Sequence, residues 1–556
     1  MRRMRWLTLG MVMIAAAAYA QDNAARCLAS SGRADTLCLA GYMAAVERCR
    51  KTADADCENQ TRAEGGPVAR RLAAPETAIR LACDDPASER LGYTSTNDVV
   101  KRAGEWCTDF AEDLLSLGYA ADLGALDDAA FACQRAVAQQ LRWLRRKTLS
   151  IFGPGCALRE GLGGACSPAR RDLKVSRLVA AVRLRIQAAC GTSYEALGLG
   201  PLDALLDTVV LRARYYAIRV YPPNNLGPTA DFGPYPIGVT TLSLSDPARS
   251  NVKGTGPRPV VTEVYYPSTD AAIADVPRDV ITLFNLPIVA TPAYRDVAIA
   301  PGPFPVVLFS HGNGGIRFQS FFFAAHLASH GYVVVTPDHH GNTFLDIAAG
   351  IVDPQVAVNR SLDLSFLIDQ FLAFNAETGN RFNNGIIPDA IGASGHSFGG
   401  FTVFALAGPG GDARIRAIMP QAPAAPFGDD FYRAISIPVL IVGGSIDTTT
   451  EFPFNQQRPF DLLPAGARVV GLAEIANAGH FTFSDFCEVD RNLLSFLGGF
   501  DEACEPRHIP WRHAHDIVNY LSLNFFDATL RNDADALARL GPDTAGAIED
   551  LRWQKK

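Results

Sequence analysis

The stretch Asp389-Ala390-Ile391-Gly392-Ala393-Ser394-Gly395-His396-Ser397-Phe398-Gly399-Gly400-Phe401-Thr402-Val403-Phe404-Ala405-Leu406 decides how this chain is read. Within it, Gly395-His396-Ser397-Phe398-Gly399 matches G-x-S-x-G, a tight strand-to-helix turn that lifts a serine hydroxyl to the N-terminus of a helix. Five residues alone are weak evidence, and a structural turn with an idle serine is the alternative. Context favours the first reading. Asp389 to Ala393 supplies the strand before the turn, and Phe401 to Leu406 supplies the helix after it.

Outward from this stretch, short apolar runs alternate with helical segments. Val260 to Tyr266 reads as a strand, as do Pro305 to Phe309 and Tyr332 to Val335. Strand candidates continue at Ile415 to Met419, Pro438 to Val442 and Val469 to Leu472. Helical patterns lie at Phe318 to Ser329 and Val356 to Phe374. Continuous apolar strands between helices predict a mostly parallel sheet with helices on both faces. Chemistry in such a sheet sits at the carboxyl ends of the strands.

A serine nucleophile needs a base and an orienting acid, in chain order Ser, acid, His. His480, in Ala476-Asn477-Ala478-Gly479-His480, follows a strand candidate and is the expected base. His508, His513 and His515 lie near or in the last helix and read as structural. Asp447 ends the Ile441-Val442 strand and is the expected acid. Asp429 and Asp430 are weaker choices, and an N-cap is the alternative role for Asp447. The oxyanion needs two aimed N–H groups, worth about 3 kcal/mol each. Phe398 is expected to supply one. Asn313, in Ser310-His311-Gly312-Asn313-Gly314-Gly315, is expected to supply the other, with Gly314 as second choice. Phe318, Phe321, Phe322 and Phe323 read as core residues before they read as an acyl pocket. His339-His340 has no third ligand at a metal-like spacing and reads as a structural loop.

The N-terminal part differs. Arg2, Arg3 and Arg5 precede the apolar run Trp6 to Ala18, and Ala18-Tyr19-Ala20 is a small-x-small site. That pattern predicts a secretory signal peptide over 1–20, with an uncleaved anchor as the alternative. Twelve cysteines, ten of them between Cys27 and Cys190, fit an oxidising compartment. Cys27, Cys38 and Cys49 are spaced by eleven, which puts them on one face of a helix. Residues 21–220 read as helices stapled by disulfides, with helical apolar spacing at Phe110, Leu114 and Leu117, at Val137, Leu141 and Leu144, and at Leu178, Val182 and Leu184. The basic run Leu141 to Lys147 reads as a solvated helix face, with a docking patch as the alternative. The formal charge is −7, and −10 without the leader's three arginines, which leaves no basic footprint for nucleic acid.

Taken together, Phe309 to Gly315, His326 to Tyr332 and Gly395 to Gly400 resemble platelet-activating-factor acetylhydrolases, predicted dienelactone hydrolases and bacterial polyester hydrolases of the α/β-hydrolase superfamily. The resemblance covers about residues 235 to 530. It implies Ser397 as nucleophile, His480 as base, and oxyanion donors at Asn313 and Phe398. The acetylhydrolases place their acid on the strand soon after the nucleophile, but Ile418-Met419-Pro420-Gln421-Ala422-Pro423 contains none. The polyester and dienelactone hydrolases place it one strand later, matching Asp447. Dienelactone hydrolases proper use a cysteine nucleophile, so the serine argues against that activity. Asp485 to Arg507 looks like an insertion closed by Cys487 and Cys504, which by chain-entropy reasoning contributes about 3 kcal/mol.

The expected organisation is a signal peptide over 1–20, a cysteine-rich helical domain over 21–220, a linker over 221–235, an α/β-hydrolase catalytic domain over 236–535 and a tail over 536–556. The expected activity is exported, secreted or periplasmic serine hydrolysis of a small-molecule, lipid or polymeric carboxylic ester. No cofactor, metal or nucleic acid is expected, and no integral membrane segment after signal removal. An amidase or peptidase on the same fold, and a binding protein with a vestigial hydrolase half, are the alternatives.

Overall fold

In the computed structural model the chain divides after Asn225 into a helical unit, Met1–Asn225, and a sheet-based unit, Leu226–Lys556. Described are all residues except 1, 51–54, 91–92, 94, 121–122, 162–165, 222–225, 284–285 and 490–500. The expected linker 221–235 therefore lies partly outside the described residues. Its last part belongs to the second unit, where the amides of Gly233 and Tyr235 bond to Ser329.

The helical unit is held by side-chain caps, apolar faces and disulfides. Ser95 and Asp127 accept the amides of Asp98 and Ala130, starting the helices Thr96–Gly118 and Asp128–Phe152. Leu39, Val46, Phe110, Leu115, Val137, Leu144 and Val182 are fully buried. Leu184, expected on an apolar face, is instead exposed: the helix Pro168–Cys190 buries Val175, Val182, Ile186 and Cys190, a stripe rotated away from it. Cys27, Cys38 and Cys49 all lie on the first helix, Arg2–Arg50, and pair with Cys83, Cys107 and Cys57. Cys133–Cys190 and Cys156–Cys166 complete the five bridges of this unit. The first helix runs through the expected cleavage point at Ala20. Among the described residues, no helix is long and apolar enough to cross a membrane.

Among the described residues, the second unit is built on one sheet of eleven strands: β1 (Ile237–Ser250), β2 (Pro257–Pro267), β3 (Arg278–Leu283), β4 (Leu286–Arg295), β5 (Phe304–Ser310), β6 (Val333–Pro337), β7 (Ile386–His396), β8 (Ile415–Gln421), β9 (Val439–Gly444), β10 (Val470–Ile475) and β11 (Leu551–Lys555). Their order is β11-β10-β9-β8-β7-β5-β6-β2-β1-β4-β3. Neighbours from β6 to β10 are parallel, while β2 and β11 flank that block antiparallel. Residues 536–556, expected to be a tail, instead end in β11, whose backbone pairs with β10 from Gly471 to Ile475. The short, mixed-polarity Leu551-Arg552-Trp553-Gln554-Lys555 gave no apolar run to mark it, because an edge strand needs only one paired side.

Every residue of β5, β6 and β9 is buried, as strands covered on both faces require. Val306 and Leu308 join the core with Leu364, Leu367, Val403 and Phe404. Phe309 points the other way, 5.3 Å from the Phe323 ring. The long helix Trp511–Leu530 packs on β7 where Gly392 leaves room: a Cβ there would come 2.7 Å from the Phe526 ring.

Candidate active site

β7 ends at His396, and the helix Phe398–Ala407 begins two residues later, so Ser397 must turn the chain alone. Its φ of 58° and ψ of −116° are unusual for a residue with a side chain. Small neighbours make that turn fit. A Cβ at Gly399 would fall 1.8 Å from the Ser310 carbonyl oxygen, and one at Gly395 would fall 2.4 Å from that of Gly399. The turn is tied to β8 by the Ser397 amide, which donates to the Gln421 carbonyl at 2.9 Å.

His480 and Asp447 arrive from the loops after β10 and β9. Those loops bond each other through Ser445 N to Ile475 O at 3.0 Å and Ile446 N to Ala478 O at 3.1 Å. His480 Nε2 lies 2.9 Å from Ser397 Oγ, and His480 Nδ1 lies 2.9 Å from Asp447 Oδ2. Asp447 Oδ1 accepts the amides of Thr449 and Thr450 at 2.9 and 2.7 Å, and Oδ2 also accepts the Thr450 hydroxyl at 2.8 Å. The carboxylate thus closes its own loop and holds the imidazole at once. Burial pushes its pKa up, but the hydrogen bond and charge of His480, with the Thr450 bonds, outweigh this and hold it below the usual carboxylate range. His480 and Asp447 are buried while Ser397 is half-buried, so the chain of bonds reaches the surface at the serine.

The turn after β5 lies beside the serine: a Cβ at Gly312 would be 3.4 Å from that of Ser397. Among the described residues, no acceptor takes the amide N–H of Asn313 or of Phe398. Phe398 opens its helix, where amides have no intrahelical partner. Asn313 is anchored by its side chain, whose Oδ1 accepts from Asn342 Nδ2 at 2.8 Å. The other sequence candidates lie elsewhere. Asp429 and Asp430 pair with Arg433 and Arg458. His515 bonds the Thr482 carbonyl, and His513 meets Asp550. Phe321, Phe322 and Phe323 are buried, Phe322 stacked on His515 at 3.5 Å.

Several residues escaped the sequence reading. His396, the variable residue of the serine motif, is buried, and its Nε2 bonds the His480 carbonyl at 2.8 Å. Its Nδ1 faces Gln319 Nε2 at 2.9 Å, and Gln319 Oε1 accepts the Gly312 amide at 3.1 Å. One hydrogen-bond chain therefore links the Gly312 turn to the backbone of His480. Burial, then the neighbouring His480 charge, pushes His396 down to about 3, so it is neutral. Glu502, from the disulfide-closed segment, accepts the His480 amide at 3.2 Å and reaches Thr448, beside Asp447. The Cys487–Cys504 bridge is formed. Residues 490–500 of that insertion lie outside the described residues.

Behind the Gly312 turn lies a second Ser–His–Asp arrangement, fully buried. Ser310 Oγ is 2.9 Å from His339 Nε2, and His339 Nδ1 is 2.9 Å from Asp363 Oδ2. Arg258 grips Asp363 through two nitrogens at 2.7 and 3.0 Å. Arg360 bonds Ser310 Oγ, the His311 carbonyl, Asn342 and Thr402. No substrate reaches a serine so enclosed. Of the adjacent histidines at this strand end, His339 finds its buried partners Ser310 and Asp363 at 29 and 24 residues' separation, while His340 lies 3.8 Å from Asp346 on the following helix. Among the described residues, no group of three or more His, Cys, Asp or Glu side chains is placed to hold a metal ion.

The PET hydrolase-like family matches residues 297–498, a span that includes Ser397, Asp447 and His480. The family of platelet-activating factor acetylhydrolase, isoform II, matches residues 233–356. Cutinase est1 of Thermobifida alba is 27% identical over 175 residues, covering 32% of this chain and 53% of the cutinase. Cutinase est2 of the same organism is 26% identical over 175 residues, with 32% and 52% covered. The chain thus spans about half the length of the curated relatives it matches. Its second unit has the α/β-hydrolase fold and is similar to these esterase families.

Proposed function

We propose that the second unit hydrolyses carboxylic esters through an acyl-enzyme, and that the protein is exported. The observation that carries this is the unbroken chain Ser397 Oγ, His480, Asp447 at the carboxyl ends of the parallel strands, beside two amides with no partner among the described residues. Its chemistry follows from the geometry. His480 Nε2 takes the Ser397 proton as the oxygen attacks the ester carbonyl. The amides of Asn313 and Phe398 hold the oxyanion, and Asp447 stabilises the imidazolium without taking its proton. His480 then returns the proton to the leaving alcohol, and a water repeats the sequence to release the acid.

The acid after β9, with none on β8, agrees with the polyester-hydrolase pattern more than with the acetylhydrolase one. The names of the similar families and relatives, PET hydrolase-like, platelet-activating factor acetylhydrolase and cutinase, direct the substrate reading to esters presented by polyesters or lipids. The leader pattern and six disulfides support export. A fluorophosphonate probe should label Ser397, and a panel of nitrophenyl esters of graded chain length should be turned over. Undiminished turnover in Ser397→Ala would sink the proposal.

A further inference from the structure

The helical unit contains a cavity of about 660 Å³ formed by the helices Arg2–Arg50, Asp128–Phe152 and Pro168–Cys190. Arg142, Arg145, Arg146 and Arg185 line it, and no aspartate or glutamate does. Arg145 is 5% exposed. Its hydrogen-bond partner is Met43 Sδ, a weak acceptor, and it makes no ion pair among the described residues. The carboxylate of Glu47 favours its charge but forms its ion pair with Arg142. Burial nevertheless pushes the Arg145 guanidinium down to about 10. The Arg142 Nε is also buried without a partner. The basic run expected to be a solvated helix face is therefore split: Arg146 and Lys147 are exposed, while Arg145 turns inward.

A buried cation short of counter-charge is costly, and a cavity is where one can be supplied from outside. Trp143 and Leu149 give the same cavity an apolar side, with Arg185 held 4.9 Å from the Trp143 ring. We propose that this cavity binds a small organic anion, a single carboxylate carried on an apolar or aromatic body. The planar guanidinium fork matches a carboxylate in two parallel bonds, and the indole and leucine take the body. The volume lies within the range of small-molecule sites. Hydrolysis of an ester releases an acid of this class. That link rests on the reading of Ser397, whereas the binding itself does not.

The test is a titration of the full chain with 2-naphthoate at low salt, followed by tryptophan fluorescence and calorimetry. Saturable binding is expected, with Arg145→Met weakening it about thirtyfold or more. Arg185→Ala, at an exposed position that folding tolerates, should weaken it severalfold, and Lys147→Ala, outside the cavity, should not. Neutral 2-naphthamide and inorganic phosphate should both bind far more weakly. Absence of saturable binding, equal binding of 2-naphthamide or phosphate, or full affinity in both arginine variants overturns the proposal. Ser397→Ala is titrated in parallel: it should lose ester turnover and keep the Arg145-dependent binding. A naphthoate signal lost with Ser397 instead assigns it to the serine site and overturns this one.

Discussion

The guanidinium carbon of Arg360 lies 4.8 Å from the centre of the Phe398 ring, while its Nη2 lies 3.0 Å from Ser310 Oγ and also bonds the His311 carbonyl. One buried cation thus touches both segments that carry the proposed oxyanion amides. Arg360→Met should lower kcat about 10- to 100-fold with KM nearly unchanged, because small displacements of aimed donors are costly. Steady-state kinetics on protein shown to be folded checks this. A variant that melts earlier but keeps its kcat would make Arg360 a purely structural residue.

Asp447→Asn should cost about 10⁴-fold in kcat. An amide facing His480 Nδ1 can donate where the carboxylate accepts, which favours the tautomer whose Nε2 already carries a proton. That nitrogen then cannot take the Ser397 proton. Fluorophosphonate labelling should slow in parallel, and undiminished labelling would remove Asp447 from the mechanism.

Glu502 joins the disulfide-closed segment to the backbone of His480. Replacing both Cys487 and Cys504 by serine should cost about 3 kcal/mol in stability. It should also reduce kcat severalfold through a less constrained His480 loop. Glu502→Gln, which keeps the acceptor oxygen, should retain most of the activity, and Glu502→Ala should not. Equal activity of all three variants would leave the segment only a stapled loop.

Stability should fall with acid earlier than the carboxylates alone predict. Burial, the first cause in each case, pushes His326, His339, His396 and His515 down to about 3. Unfolded, each would titrate near 6.5. Below that pH the unfolded chain binds more protons, so the stability they contribute is full above about 6.5 and is lost as pH falls toward 3. The slope approaches about 1.4 kcal/mol per pH unit for each histidine. Urea unfolding at pH 7.5, 6 and 5 checks this, and a flat profile would refute it.

Much of the site was legible because its parts are local. Gly395-His396-Ser397-Phe398-Gly399 encodes a turn whose backbone only small neighbours permit, and Gly312-Asn313-Gly314 encodes a loop that can approach it. Asp447 and His480 stand out in the sequence as candidates because chain order and strand ends restrict where an acid and a base can return to the serine. His396, Gln319, Arg360 and Glu502 were not legible. Each acts through partners far along the chain: Gln319 and His396 are 77 residues apart, and Glu502 and Thr448 are 54. Nothing in local spacing announces such pairs.

The sequence by itself determined the alternation of strands and helices, the serine turn and the cysteine-rich character of the first 220 residues, because these follow from periodicity and residue chemistry within a few turns of chain. Only the tertiary structure decided that β11 forms one edge of the sheet, how the ten cysteines from Cys27 to Cys190 pair, that Ser310–His339–Asp363 is a buried brace rather than a second site, and that Arg145 lines a cavity. Those outcomes depend on which distant surfaces exclude water together. A single buried charge or hydrogen bond is set by the whole packing around it, not by its neighbours in the chain.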